Sequence, residues 1–307
     1  MEHQSIHLEI PHPGEPDSVL VGILEQVHGR GGKDSSEGKV WQKEAGREGK
    51  EKRNIALILH GVAGHKDYLY QKRLASRLPM DSFRFDFRGN HESSGRWSSS
   101  GMENDVEDLR TVVAFLSQTY GYHVDLVIAH SRGSLVGFRW MCTLTLAEGE
   151  RFPSGYVNLS ARYRMKDTYN SSNVQLFRKS FKEQGFHIWT PTVAGKVVQY
   201  KIIPEDLDRY MNWDTSLVWN NFPQDTDVLT LHGLKDLNVP PYEAVIYSRA
   251  LGSRAPGTHS LHLVENADHN YTRQQDEVIG AILDWWERKR ANTLTTGVWM
   301  TGLKGKL

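Results

Sequence analysis

The chain has 307 residues, 38% hydrophobic and 24% charged, which is enough apolar material for one large core or two smaller ones. Lysine plus arginine and aspartate plus glutamate each number 37, so the net charge is zero and the electrostatic footprint of a nucleic-acid binder is missing. A single cysteine, Cys142, excludes an intrachain disulfide and a multi-cysteine metal site, and its setting "FRWMCTLTLA" reads as the buried face of a helix.

The opening "MEHQSIHLEIPHPGEP" lacks a basic start followed by an apolar core, and no run reaches the ~18 apolar residues of a membrane span. A soluble, cytoplasmic protein without a membrane span is the expectation. "SIHLEI" and "SVLVGILEQV" predict two strands joined by a Pro/Gly turn. Residues 29–54, "GRGGKDSSEGKVWQKEAGREGKEKRN", are glycine-rich with mixed charge and very few apolar side chains. Such a segment buries too little to offset its ordering entropy, which predicts a flexible surface insertion. Its acidic residues partly offset its basic ones, which argues against a nucleic-acid partner.

From Ile55 short apolar runs alternate with longer amphipathic ones. "IALILHG" predicts a strand, "DYLYQKRLASRL" a helix, "SFRFDFRG" a strand, and "NDVEDLRTVVAFLSQTY" a helix. "VDLVIAHS" predicts a buried strand, "GSLVGFRWMCTLTLAEG" a helix, and "SGYVNLSA" a strand. After a break the rhythm resumes with strand "DVLTLHG", helix "PPYEAVIYSRAL", strand "HSLHLVENADH" and helix "QQDEVIGAILDWWERKR". Strand–helix alternation predicts an α/β fold with a mostly parallel central sheet and helices on both faces. Residues 1–164 and 227–291 make this core.

The break, residues 165–226, has weak strand signals and many aromatics: Phe177, Phe181, Phe186, Trp189, Tyr200, Tyr210, Trp213 and Trp219. An insertion after a strand's carboxyl end sits over the ligand site of such sheets. It reads as a helical cap with its own small core, two or three of whose aromatics line a pocket. Trp189 and Trp213 are the candidates, together with Gly61 from the core. The tail, 292–307, has no clear periodicity and is expected to be loosely ordered.

Chemistry belongs at the strand ends. Ser131 lies between a strand and a helix, with Ala129 and Gly133 two residues away on either side. A turn this tight strains the backbone at the serine and needs small residues at both flanks, as in G-x-S-x-G; here alanine replaces the first glycine. A serine hydroxyl needs a base held by a carboxylate, in the chain order Ser, Asp or Glu, His. Among 14 histidines, His269 follows the last strand and precedes the last helix. Asp236 follows the strand before it. His60 and His232 sit in "LHG" turns, where structural hydrogen bonding is expected, and His130 reads as a bystander turned from the cleft. The backbone N–H of Arg132 and that of Val62, in "HGVAGHKD", are the expected oxyanion donors. No H-E-x-x-H, phosphate-binding or dinucleotide-binding pattern is present, so neither metal nor cofactor is expected.

"LILHGVAGHKD", "FRFDFRGNHESSGRW", "VIAHSRGS", "LHGLKD" and "ENADHNY" together resemble the α/β-hydrolase superfamily over Ser5 to Ala291. Within it the pattern is similar to cytosolic cinnamoyl (feruloyl) esterases and to monoacylglycerol-lipase and serine-aminopeptidase relatives. The resemblance implies an α/β-hydrolase fold with a lid after the sixth core strand, a triad of Ser131, Asp236 and His269, and oxyanion amides at Val62 and Arg132. It reads Asp86 and Arg88 as structural. The leading expectation is therefore a serine carboxylesterase acting through an acyl-enzyme on small to medium, and by its aromatic cap aromatic, esters. Monoacylglycerol lipase, serine peptidase and acyltransferase use the same triad, and a catalytically silent binding protein is the reading from another class. A small-molecule ester is the expected partner, and a homodimer is left open.

Overall fold

The computed structural model describes residues 2–15, 17–28 and 53–301. Two antiparallel strands come first, β1 (Glu2–Pro11) and β2 (Val19–His28), with Ile6 opposite Leu24. Then β3 (Arg53–Leu59), α1 (Gln71–Ala75), β4 (Asp81–Phe85), α2 (Met102–Tyr120), β5 (Tyr122–His130), α3 (Arg132–Thr143) and β6 (Gly155–Leu159) alternate as the apolar rhythm predicts. The alternation resumes with β11 (Asp227–Gly233), α7 (Tyr242–Leu251), β12 (His259–Val264), α8 (Gln275–Arg290) and β13 (Gly297–Thr301). The nine-stranded sheet runs β1-β2-β4-β3-β5-β6-β11-β12-β13, antiparallel at β1, β2 and β4 and parallel from β4 onward.

Successive residues of each central strand feed opposite apolar layers. Leu57, Leu59, Val127 and Ala129 pack with Val106, Leu109 and Val136 of α2 and α3. Ala56, Ile58, Leu126 and Ile128 pack with Leu74 of α1 and with Val278, Ile282 and Trp285 of α8. The strands thus read as nearly continuous apolar runs because both faces are covered.

Between β6 and β11 lie a 3₁₀ turn (Met165–Asn170), α4 (Ser172–Gln184), two small hairpins, α5 (Pro204–Met211) and α6 (Leu217–Asn220). The hairpins pair β7 (His187–Trp189) with β10 (Tyr200–Ile202), and β8 (Thr192–Val193) with β9 (Lys196–Val197). The expected insertion is therefore helical only in part. It rests on the core through Trp97, 4.0 Å from the Tyr200 ring, and through a 2.7 Å hydrogen bond from Ser100 to Asp206.

Several predicted bounds are corrected. The helix expected from Asp67 shrinks to α1 because Leu69 adopts φ +54°, outside helical space. The strand expected through Gly89 stops at Phe85: the Asp86 carboxylate takes the Lys66 and Glu92 amides, and Gly89 turns at φ +67°. A side chain at Gly89 would lie 2.1 Å from the Trp97 nitrogen. The helix expected to run to Gly149 ends at Thr143, where Leu144 is already extended. Arg53 and Asn54, assigned to the charged insertion, begin β3 instead, and the rest of that insertion, 29–52, lies outside the described residues. The tail expected to be loose contributes β13, which pairs with β12 from Ser260↔Gly297 to Val264↔Thr301; residues 302–307 lie outside the described residues.

Candidate active site

Strand β5 ends at His130 and α3 starts at Arg132, so Ser131 alone makes the turn, at φ +53° and ψ −117°. A non-glycine residue in this region is strained and is held there by its surroundings. Its N–H donates to the Leu159 carbonyl at 2.8 Å, tying the turn to β6. Ala129 is fully buried beneath it. Gly133 crosses β3 so closely that a Cβ would lie 2.5 Å from the His60 carbonyl oxygen. The small residue at Gly133 is thus a steric requirement.

The loop after β12 carries His269, and the loop after β11 carries Asp236. His269 Nε2 lies 2.9 Å from Ser131 Oγ, and His269 Nδ1 lies 2.7 Å from Asp236 Oδ2. A carboxylate only accepts, so Nδ1 carries the proton and Nε2 turns its lone pair to the serine hydroxyl. Asp236 Oδ1 accepts from the Asn238 and Val239 amides at 2.9 and 2.8 Å. Burial pushes the Asp236 carboxyl pKa up, but hydrogen bonds from His232, His269 and Val239 outweigh it and hold the group below the ordinary carboxylate range. Asp236 is therefore ionised beside His269.

Three buried histidines stand at the strand ends around this relay. His60 donates from Nδ1 to the Gly61 carbonyl at 2.7 Å and accepts the Phe87 amide at Nε2. His232 lies 2.8 Å from the Val239 carbonyl and 3.4 Å from Asp236 Oδ2. Both are structural, as expected of the "LHG" turns. The bystander reading of His130 is corrected: its Nε2 donates to the His269 carbonyl at 2.9 Å. Burial pushes the pKa of His60 down to about 4 and that of His130 down to about 3, so both rings are neutral at physiological pH.

Val62 occupies a turn closed by the Gly64 amide on the Gly61 carbonyl at 3.1 Å, with Ala63 at φ +49°. The Gly61 carbonyl and the Val62 N–H belong to one planar peptide, so the His60 bond fixes the direction of that N–H. Gly61 backs onto Ser131: a Cβ there would lie 3.2 Å from the serine Cβ. The Arg132 N–H belongs to the first turn of α3, whose amides have no intrahelical acceptor. Arg132 also does more than offer an amide. Its buried guanidinium binds Asp105 at 2.7 Å and the Ser99 and Ser98 carbonyls at 2.6 and 3.0 Å.

The two tryptophans expected to line a pocket separate. Trp189 lies 5.7 Å from Trp97, whose ring is 5.8 Å from the Arg132 guanidinium. Beside it opens a cleft of about 490 Å³ lined by Trp97, Ser98, Arg96, Lys201 and Asp206. Trp213 instead stacks under Arg139 at 4.0 Å, next to Cys142 and Tyr247 on another side of α3. Trp97 was visible in the sequence only as part of "SSGRW", a loop without periodicity. Among the described residues one trio has metal-ligand spacing, Asp86, His91 and Glu92, but the Lys66 ammonium already contacts Asp86 and Glu92.

Residues 56–281 match the alpha/beta hydrolase family. The chain belongs to that family. An uncharacterised protein of Saccharomyces cerevisiae, YDL057W, is 31% identical over 243 residues, 71% of this chain and 68% of that one. Est1E of Butyrivibrio proteoclasticus, solved with ferulic acid, superposes with a TM-score of 0.62 at 14% identity, covering 92% of this chain and 99% of that one. The Pyrococcus furiosus esterase Pf2001 gives 0.59 at 15% identity, covering 93% and 92%. At 14–15% identity these superpositions show a shared α/β-hydrolase fold. No helix among the described residues is long and apolar enough to cross a membrane.

Proposed function

We propose that this hydrolase is a serine carboxylesterase that works through an acyl-enzyme. The observation that carries this reading is the unbroken relay from Ser131 Oγ to His269 to Asp236, at 2.9 and 2.7 Å. His269 Nε2 takes the serine proton as Oγ attacks the ester carbonyl, and Asp236 stabilises the imidazolium that forms. The Val62 and Arg132 amides receive the developing oxyanion. His269 then returns the proton to the departing alcohol, and water repeats the sequence to free the acid and restore Ser131. The chemistry calls for no cofactor.

The aromatic group of Trp97, Trp189 and Tyr200 beside the Arg132 side chain supports an aromatic or apolar acyl group, with residues 165–226 acting as a cap. Lipase, peptidase and acyltransferase activities share the relay, so the test is a panel of aryl, cinnamoyl and acylglycerol esters with a peptide amide. Turnover of esters that disappears in Ser131→Ala is expected. Equal turnover by wild type and Ser131→Ala, or none by either, refutes the reading.

A further inference from the structure

His130 immediately precedes Ser131 in the chain and hydrogen-bonds to His269 in space. Its Nε2 lies 2.9 Å from the His269 carbonyl oxygen. That oxygen can only accept, so Nε2 carries the ring proton and Nδ1 holds a lone pair. Nδ1 is buried without a partner among the described residues, and it faces Gly61, where an added Cβ would lie 3.0 Å away. A buried polar atom left unsatisfied costs stability, so the ring is not placed here for its packing alone.

The His269 ring is held by Asp236 and Ser131, whereas the main chain of its loop is otherwise anchored at neighbouring residues. The Ala267 carbonyl accepts from Lys235, the Asp268 carbonyl accepts from the Tyr271 amide, and the Tyr271 hydroxyl meets Ser160 and Leu231. The main-chain bond to His269 itself comes from the His130 ring. The same ring is packed edge-on by Tyr70 and Tyr271 at 6.3 and 6.2 Å, which fixes its plane.

We infer that His130 is a positioning residue that ties the base to the nucleophile turn, so that the distance between His269 and Ser131 is set by one side chain bonded to both segments. The inference rests on the serine-hydrolase reading of the site. Strain at Ser131 fixes where Oγ points, but the base arrives on a separate loop, 138 residues later in the chain. The bond from His130 removes that loop's freedom to slide along the cleft. Neutrality matters as well: the His130 and His269 ring centroids are 5.1 Å apart, and a cation at that distance would oppose the positive charge His269 acquires during attack.

The test compares His130→Gln with His130→Leu. The glutamine amide nitrogen reaches the position of Nε2 and donates as it does, whereas leucine fills the space without a donor. Leucine is expected to lower kcat by on the order of 10²-fold with KM little changed, and to slow fluorophosphonate labelling of Ser131 in parallel, because a misplacement of about 1 Å has that effect. Glutamine is expected to recover most of the lost kcat. Should His130→Leu not fold, His130→Asn, whose amide is too short to reach the carbonyl, takes its place. A variant without the donor that keeps wild-type kcat per folded molecule overturns the inference, as does an equal loss in the glutamine variant. Ser131→Ala in the same assay separates the cases: if it too is active the esterase reading fails, and if it is inactive only the positioning role does.

Discussion

Replacing Asp236 by asparagine probes the relay without removing volume. Asp236 Oδ1 accepts two backbone amides, from Asn238 and Val239, so the asparagine oxygen takes that side and its NH₂ faces His269 Nδ1. An NH₂ there donates, which forces the imidazole to carry its proton on Nε2, toward Ser131. A protonated Nε2 cannot accept from the serine, and the loss expected from trapping the wrong tautomer is on the order of 10⁴ in kcat. At about 1.4 kcal/mol per decade this is about 5.5 kcal/mol of transition-state stabilisation. The assay is steady-state ester hydrolysis, with circular dichroism checking that the variant is folded. A loss below tenfold in a folded Asp236→Asn variant refutes the assigned tautomer and with it the role of Asp236.

Three other expectations follow from the same contacts. Arg132→Met leaves the buried Asp105 carboxylate without its 2.7 Å partner, and breaking a buried pair costs about 3–5 kcal/mol; urea denaturation showing less than 1 kcal/mol contradicts the structural role given to the guanidinium. Gly133→Ala places a Cβ 2.5 Å from the His60 carbonyl oxygen and is expected to destabilise by about 1–3 kcal/mol; an unchanged melting temperature contradicts the close crossing. Burial holds the pKa of His60 down to about 4 and those of His130 and His259 down to about 3, whereas an unfolded chain protonates histidine near the ordinary value of about 6.5. Between these values the unfolded state binds protons the folded state refuses, so this stability is complete above about pH 6.5 and declines as the pH falls, each group contributing up to about 1.4 kcal/mol per pH unit. Denaturation midpoints that do not fall from pH 6.5 to pH 4 contradict the neutral buried rings.

Much of the fold was legible because the central strands are covered on both faces. A run such as "VDLVIAHS" has no solvent side to interrupt it, and the helices between such runs carry the opposite period. The misjudged bounds lie where a single residue's tertiary contact overrides local pattern: Leu69 at positive φ, and Asp86 drawing two backbone amides out of the strand direction. β13 could not be read from "GVWMT" alone, because its pairing is with β12 at a sheet edge and leaves no periodic trace. The grouping of Ser131, Asp236 and His269 was legible because each stands in the turn or loop after a strand, in a fixed chain order. His130 was misread for the opposite reason: its hydrogen bond is made to a loop far away in the sequence, and no spacing rule connects residue 130 to the carbonyl of residue 269. Trp213 and Trp189 carry the same sequence signal, and only the path of the chain through 165–226 separates one under Arg139 from one beside Trp97.

The most direct measurement of the central claim is labelling of the folded protein with a fluorophosphonate, followed by peptide mass spectrometry. One modified residue, Ser131, is expected, with labelling abolished in Ser131→Ala and strongly slowed in His269→Ala. Absence of labelling in folded wild-type protein, or a modification that persists in Ser131→Ala, would contradict it.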